Sequence, residues 1–264
     1  MSKLAIHSTA VVSPRAEIAG DVEIGPYVVV KDNVKLGPRV KILANAYVGS
    51  WTEIGEDSEI HMGAVVGHLP QDLSFKKKKS YLIIGKRNII REYATIHRGT
   101  QEESSTVIGN DNFIMCFAHV AHDCKLGNNI VIANTSALSG YVEVENKVFI
   151  SAYVGVHQFA RIGALSIIAA KSRIIKDIPP YMLAKGESTV CGINVVGMRR
   201  AGFSQEIRSK INRAHKILYR SGYKLSRAIE ELEKACLGKE VRHLIDFLKK
   251  KSKRGLCAYA KKYS

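Results

Sequence analysis

Residues 126–150 read LGNNIVIANTSALSGYVEVENKVFI, with an aliphatic residue at Leu126, Ile132, Leu138, Val144 and Ile150. A spacing of six fits neither the 3.6-residue period of a free helix nor the two-residue alternation of a strand. The same register extends in both directions, from Ile6 to Ile174. Of the 29 multiples of six up to 174, 26 are Ile, Val or Leu, so the period is a design and not an accident of composition. The misses are Asp72, Lys78 and Glu102. Gly often follows the aliphatic, as at Gly25, Gly37, Gly55, Gly127 and Gly163. The residue four after it is small or β-branched, as at Val22, Val28, Val34 and Val40.

A six-residue period predicts a parallel β-helix with three short flat sides, one hexapeptide per side. The aliphatics stack inward and Gly eases each corner. Three hexapeptides close one coil, and coils lie about 4.8 Å apart, the ordinary strand spacing. The misses mark polar excursions, expected at about 68–81 (HLPQDLSFKKKKSY) and 101–107 (QEESSTV), and loops on a rigid scaffold often carry function. Pro179 and Pro180 in DIPPY (177–181) are expected to end the repeat. Beyond them the period becomes helical. Ser204 is a candidate N-cap for a helix to about Arg220, with Ile207, Ile211, Ala214 and Leu218 on one face and Gly222 past its end. Two more helices are expected over 226–237 and 239–250. The fold class is therefore all-β, a parallel β-helix of hexapeptide repeats over 1–178, followed by a small α-helical C-terminal domain over 179–264.

The net charge is +16. It is concentrated in residues 179–264, which hold 20 Lys and Arg against 7 Asp and Glu. Such a tail suggests an acidic partner. No nucleic-acid motif or aromatic interleaving accompanies the charge, so nucleic acid is not the expected partner. The five cysteines have no C-x-x-C spacing, which argues against a zinc ribbon or disulfide scaffold and for reduced thiols. MSKLAIHSTAVV (1–12) lacks the apolar core of a signal peptide, and no apolar run of about 18 residues occurs, so no integral membrane segment is expected. The expected location is cytoplasmic.

The stretch that carries chemistry is HVAHDC (119–124). Residues 18 apart share a column, so His122 lies below Gly140 and Gln158. His119 lies below Ala137 and Gly155, and Asp123 below Tyr141 and Phe159. Three readings compete. As metal ligands, His119 and His122 find no His, Cys, Asp or Glu one coil up, while a zinc site needs three or four. A metal-dependent β-helix hydratase with ligands shared across subunits stays open. As a general base, His122 has Asp123 to fix its tautomer and the backbone N–H of Gly140 to meet an oxyanion. That is the set required to transfer an acyl group to an alcohol. As plain solvated corner residues they do nothing.

The solenoid together with QDLSF (71–75), TIHRGT (95–100), AHVAHDC (118–124), GVHQF (155–159), DIPPY and GINVVGMRRAGF (192–203) resembles the UDP-N-acetylglucosamine O-acyltransferases, which begin lipid A synthesis. The resemblance spans essentially the whole chain. It implies a left-handed β-helix, a homotrimer with sites between subunits, and transfer of a 3-hydroxyacyl group to the glucosamine 3-position. The donor it implies is acyl carrier protein with its phosphopantetheine arm, and it implies neither a cofactor nor a metal held by the chain. His122 matches the family's base, Asp123 its neighbour and Gly140 the oxyanion donor. Asp72, Leu73, His97, His119, Tyr141, His157 and Gln158 match sugar-nucleotide or active-site positions. Asn194 and Arg200 match tail residues near the nucleotide and carrier. Ala170 falls where the family sets acyl length. Tyr141 stands where the family typically has His, Ser74 where it has Lys, Val196 where an acid is frequent, and Ala201 where a second Arg is usual. These departures leave a 3-amino sugar nucleotide open as an alternative acceptor.

Overall fold

The computed structural model describes residues 5–260. The first four residues of MSKLAIHSTAVV and the last four of the expected helical domain lie outside the described residues. The repeat forms a left-handed parallel β-helix whose strands, most of them two residues long, stack in three sheets. Sheet A runs from Ala5–Ile6 upward, sheet B from Val11–Val12 and sheet C from Glu17–Ile18. The chain visits A, B and C in turn, so each coil has three corners. The multiples of six point inward and are buried from Ile24 to Ile174, except in the excursions. A second inward column lies four residues after each aliphatic. It holds Val22, Val28, Val34 and Val40 low in the solenoid, and Ser58, Asn88, Thr106 and Ser136 further up, all buried. Several of the buried polar members donate to corner carbonyls, as where Ser136 Oγ donates to Ser151 O at 2.6 Å and Asn88 Nδ2 to Gly109 O at 2.9 Å, while Thr106 Oγ1 accepts from Asp123 N.

The corners turn on a residue in the left-handed region, three after the aliphatic, and it is rarely glycine. Examples are Asn45 (φ 60°), Asp123 (φ 58°) and Tyr141 (φ 62°). This corrects the role expected for the glycines. A Cβ on Gly37 would stand 2.9 Å from the backbone N of Glu56, and one on Gly55 2.6 Å from the carbonyl carbon of Gly85. Gly is needed there because the next coil lies against it, not because the chain turns on it.

Partnered residues are 18 apart in regular coils (Glu23 with Lys41), 30 apart across the first excursion (Glu59 with Ile89) and 24 apart across the second (Ile89 with Phe113). The insertions are thus of 12 and 6 residues, whole hexapeptides, which is why the register survives them. Both leave the solenoid at the corner between sheets B and C. They run over 69–80, one residue inside the expected 68–81 at each end, and over 98–104, which is as long as the expected 101–107 but starts three residues earlier. His68 ends strand Val65–His68, and strands Tyr81–Ile84 and Ser105–Ile108 pair with each other.

The prolines do not end the stacking. Ile167 pairs in parallel with Leu183, and Met182–Lys185 turns back antiparallel on Thr189–Ile193, which pairs with Ala258–Tyr259. Among the described residues four helices follow the hairpin. They are α1 (Val195–Arg200), α2 (Gln205–Arg220), α3 (Leu225–Lys234) and α4 (Lys239–Lys249). Ser204 caps α2, its side chain accepting from Ile207 N, and Gly222 follows with φ 76°. Ile211, Ala214 and Leu218 are buried on its inner face. The short α1 has too few turns to show a period and was not visible in the sequence. Arg161 docks the tail on the top coils. Its guanidinium pairs with buried Asp177 at 2.7 Å and lies 4.5 Å over the Phe247 ring of α4. No helix among the described residues is long and apolar enough to cross a membrane.

Candidate active site

His122 and Asp123 occupy the corner between sheets B and C, just after the strand His119–Val120. Both are buried, with 9% and 8% of their surface exposed. His122 Nδ1 lies 2.9 Å from Asp123 Oδ2. The same oxygen accepts from Thr100 Oγ1 at 2.7 Å and Thr100 N at 3.1 Å, and Oδ1 accepts from Ser104 Oγ at 2.8 Å. Burial alone raises the Asp123 carboxyl, but the hydrogen bonds from His122, Thr100 and Ser104 outweigh it and hold it at about 2. An ionised carboxylate can only accept, so Nδ1 carries the imidazole proton and Nε2 is left with a free lone pair.

The ring lies flat against Gly140, as the 18-residue column predicts. A Cβ at Gly140 would stand 2.6 Å from His122 Nε2, so only glycine allows the ring to sit there. Tyr141 N donates to His122 O at 3.0 Å, which locks the two coils together at this corner. Among the described residues no acceptor takes the Gly140 N–H. A base with a bare Nε2 thus lies beside an unused backbone donor.

The second histidine lies on the neighbouring strand. His119 Nδ1 lies 2.7 Å from Thr95 Oγ1, and its ring meets that of His97 edge-on, with centroids 5.2 Å apart. His97 meets His68 at 6.3 Å in the same manner. Burial, then repulsion by His119, depresses His97 to about 4, and burial followed by the His122 charge lowers His119. Both rings are therefore neutral near pH 7, and His97 Nδ1 is buried without a partner. Among the described residues no group of three or more His, Cys, Asp and Glu side chains is arranged to hold a metal ion.

The other expected site residues divide into two sets. Asp72 and Leu73 lie on the first excursion. Asp72 accepts from Ser74 Oγ at 2.7 Å and Ser74 N at 2.8 Å, which lowers its carboxyl, and it feels the charges of His122 and Asp123. Leu73 is fully exposed. Tyr141 lies edge-on to the His122 ring at 5.3 Å and stacks on Phe159 at 4.9 Å. His157 and Gln158 sit one coil above Gly140, with His157 Nδ1 3.2 Å from the Gln158 carbonyl. These residues share the corner with His122.

Asn194, Arg200 and Ala170 do not. Asn194 is buried and caps α1, its Oδ1 accepting from Gly197 N at 2.9 Å while Nδ2 donates to Leu165 O at 2.8 Å. Arg200 ends that helix. With Lys147, Phe149 and Ile167 the two line a cavity of about 400 Å³ on the sheet A face. Ala170 is exposed at the corner between sheets A and B, after strand Ile167–Ile168. Sequence columns missed Thr100 and Ser104 because both belong to an excursion that leaves the register.

Comparison with known proteins covers nearly the whole chain. The family described as UDP N-acetylglucosamine O-acyltransferase, domain 2, matches residues 177–257, and the bacterial transferase hexapeptide family (six repeats) matches residues 33–68 and 105–140. An acyl-[acyl-carrier-protein]--UDP-N-acetylglucosamine O-acyltransferase of Herminiimonas arsenicoxydans is 44% identical, with 89% of each chain covered. The protein of that name from Paraburkholderia phymatum is 42% identical over 95% of this chain and 98% of its own. Among solved structures, the UDP-N-acetylglucosamine acyltransferase of Francisella novicida superposes with a TM-score of 0.93 at 37% identity, covering 97% of this chain and 95% of that one. The enzyme of Campylobacter jejuni superposes at 0.91 and 37%, covering 97% and 100%. The chain is an acyltransferase and belongs to the UDP-N-acetylglucosamine O-acyltransferase family.

Proposed function

We propose that this enzyme transfers a 3-hydroxyacyl chain from acyl carrier protein to the 3-hydroxyl of UDP-N-acetylglucosamine, the first step of lipid A synthesis, with His122 as general base. The observation that carries the reading is the His122 ring, its Nδ1 engaged by Asp123 and its Nε2 bare against Gly140. Nε2 takes the proton of the sugar hydroxyl as its oxygen attacks the thioester carbonyl. The Gly140 N–H donates to the oxygen that becomes negative. Collapse of the tetrahedral species breaks the carbon–sulfur bond, and the phosphopantetheine thiolate recovers the proton from His122. Asp123 stabilises the transient imidazolium, and at about 2 it stays ionised across the working pH range.

The working unit of this reading is a homotrimer. Asn194, Arg200 and Ala170 would complete the site from a neighbouring copy, since within one chain they lie away from the His122 corner. The outer face of sheet A is apolar along Ile89, Phe113, Val131, Phe149 and Ile167, which suits a subunit contact. The catalytic unit spans 1–178. The basic unit, 179–264, would steer the acidic carrier, for which the groove lined by Arg213, Lys216, Arg220 and Lys234 between α2 and α3 is suited. Free thiols at all five cysteines accord with a cytoplasmic setting.

The deciding experiment is His122→Ala, assayed with 3-hydroxyacyl carrier proteins of graded length and with both the 3-hydroxy and 3-amino sugar nucleotides. Transfer to the 3-hydroxy sugar should fall at least ~10³-fold with the trimer intact. Turnover near wild type would overturn the assignment, and wild-type preference for the 3-amino sugar would replace the acceptor.

A further inference from the structure

The second excursion, 98–104, lacks the repeat and carries no residue of the base pair, yet it supplies most of Asp123's hydrogen bonds. Three of the four donors to that carboxylate come from it: Thr100 N, Thr100 Oγ1 and Ser104 Oγ. Thr100 is buried. Its hydroxyl lies 3.0 Å from the Tyr141 hydroxyl, one coil above Asp123. The proton directions follow from counting. Thr100 has one hydroxyl proton, and the carboxylate at 2.7 Å takes it, so the Tyr141 phenol must donate to Thr100 Oγ1. The chain runs one way, from Tyr141 through Thr100 to Asp123, where it meets the proton of His122 Nδ1.

Tyr141 is held for this task. Its ring is stacked on Phe159, whose other partner is the Lys253 ammonium, 4.2 Å from the ring centroid. We propose that Thr100, braced by Tyr141, is a positioning residue for the His122–Asp123 pair. It fills the carboxylate's acceptor sites so that Asp123 takes only the Nδ1 proton and cannot rotate away from the ring. Asp72, His97, His119 and Cys124 also face the pair, and none of them donates a hydrogen bond to Asp123.

The test rests on His122 being the base and uses the full-length enzyme. Thr100→Val keeps the shape and removes the hydroxyl. It should lower kcat about 10- to 100-fold with the sugar-nucleotide KM within about two-fold. The acidic limb of the kcat/KM profile should move to higher pH, because a carboxylate with one donor fewer favours the imidazolium. Thr100→Ser should restore most of the rate. Tyr141→Phe should cost about three-fold alone and nothing further in the Thr100→Val background, because it acts through that hydroxyl. A Thr100→Val enzyme within about two-fold of wild type, an effect confined to KM, or additive losses would overturn the proposal. Should Thr100→Val melt too low to assay, Ser104→Ala must shift the limb in the same direction by less, and an unmoved limb there counts against the proposal. NMR titration of the His122 ring in the free protein separates this failure from a wrong substrate. The ring should titrate at higher pH in Thr100→Val whatever the acceptor, and an unchanged titration overturns the positioning role.

Discussion

Two corners of the same coils share a backbone and differ in what they leave unpaired. Between sheets C and A, the N–H two residues after the inward aliphatic is capped by a side chain from a neighbouring coil at four levels. Lys86 N donates to Asn110 Oδ1, Asn110 N to Asn128 Oδ1 and Asn128 N to Asn146 Oδ1, at 2.6–2.8 Å, and Ala164 N donates to Glu145. Charges pair there too, as Arg39 with Asp57 and Arg87 with Asp111. Between sheets B and C, the matching N–H belongs to Gly140, and Gln158 above it makes no such bond. His97 Nδ1 is buried without a partner, and the hydrogen bond of the His122 ring runs through Nδ1 and leaves Nε2 bare. The first corner pairs most of its polar groups along the axis through the middle and upper coils; the second holds donors and acceptors open around His122, and both excursions leave the solenoid there. Reactivity on this scaffold is a place where the ladder has been left incomplete.

The most damaging way to break that contrast is Gly140→Ala. The added methyl must displace the His122 ring, so kcat should fall ~10²–10³-fold with little loss of melting temperature, measured by steady-state assay beside a thermal melt. Asn128→Ala does the reverse at the other corner. It strands the Asn110 N–H and should cost about 1 kcal/mol in denaturant unfolding while kcat of the folded enzyme holds.

The smallest effect is a pH dependence at the join to the tail. Glu145 Oε2 lies 2.9 Å from His243 Nε2, and His243 Nδ1 lies 3.0 Å from the Tyr181 hydroxyl. Burial pushes the Glu145 carboxyl up, but the bonds from His243 and Ala164 leave it net lowered, while the Glu145 bond raises His243. A lowered carboxyl stabilises above its unfolded value and loses that contribution as pH falls through the folded one. A raised imidazole stabilises below its unfolded value and loses it as pH rises through the folded one. The pair therefore holds α4 most firmly between the carboxylate and raised imidazole ranges. Being partly exposed, it contributes less than about 1 kcal/mol. His243→Gln should flatten the pH dependence of melting on the alkaline side.

Much of this was legible in the sequence because a solenoid turns sequence distance into spatial contact. The 18-residue step placed His122 against Gly140 and Asp123 beside Tyr141 without any long-range inference. What was not legible lies where the step fails. Thr100 and Ser104 reach Asp123 from an insertion with no period, and Asn194 and Arg200 follow a hairpin that extends sheet A beyond the prolines. The glycines were seen but misread, since a close approach between coils and a left-handed turn leave the same letter in the sequence. The excursion limits erred because strands Tyr81–Ile84 and Ser105–Ile108 start before their first inward aliphatic and pair with each other.

Insertions in whole hexapeptides also make the long axis a graduated scale. Every element above a given corner stands at an integral number of strand spacings from it, each about 4.8 Å. Adding one 18-residue coil above Phe159 would lift the Asn194 and Arg200 side of the tail cavity by one graduation and leave the His122 corner as it is. Any ligand reaching from His122 to that cavity thus faces distances available only in discrete steps. Selectivity for its length could be reset by counting coils, without reshaping a pocket.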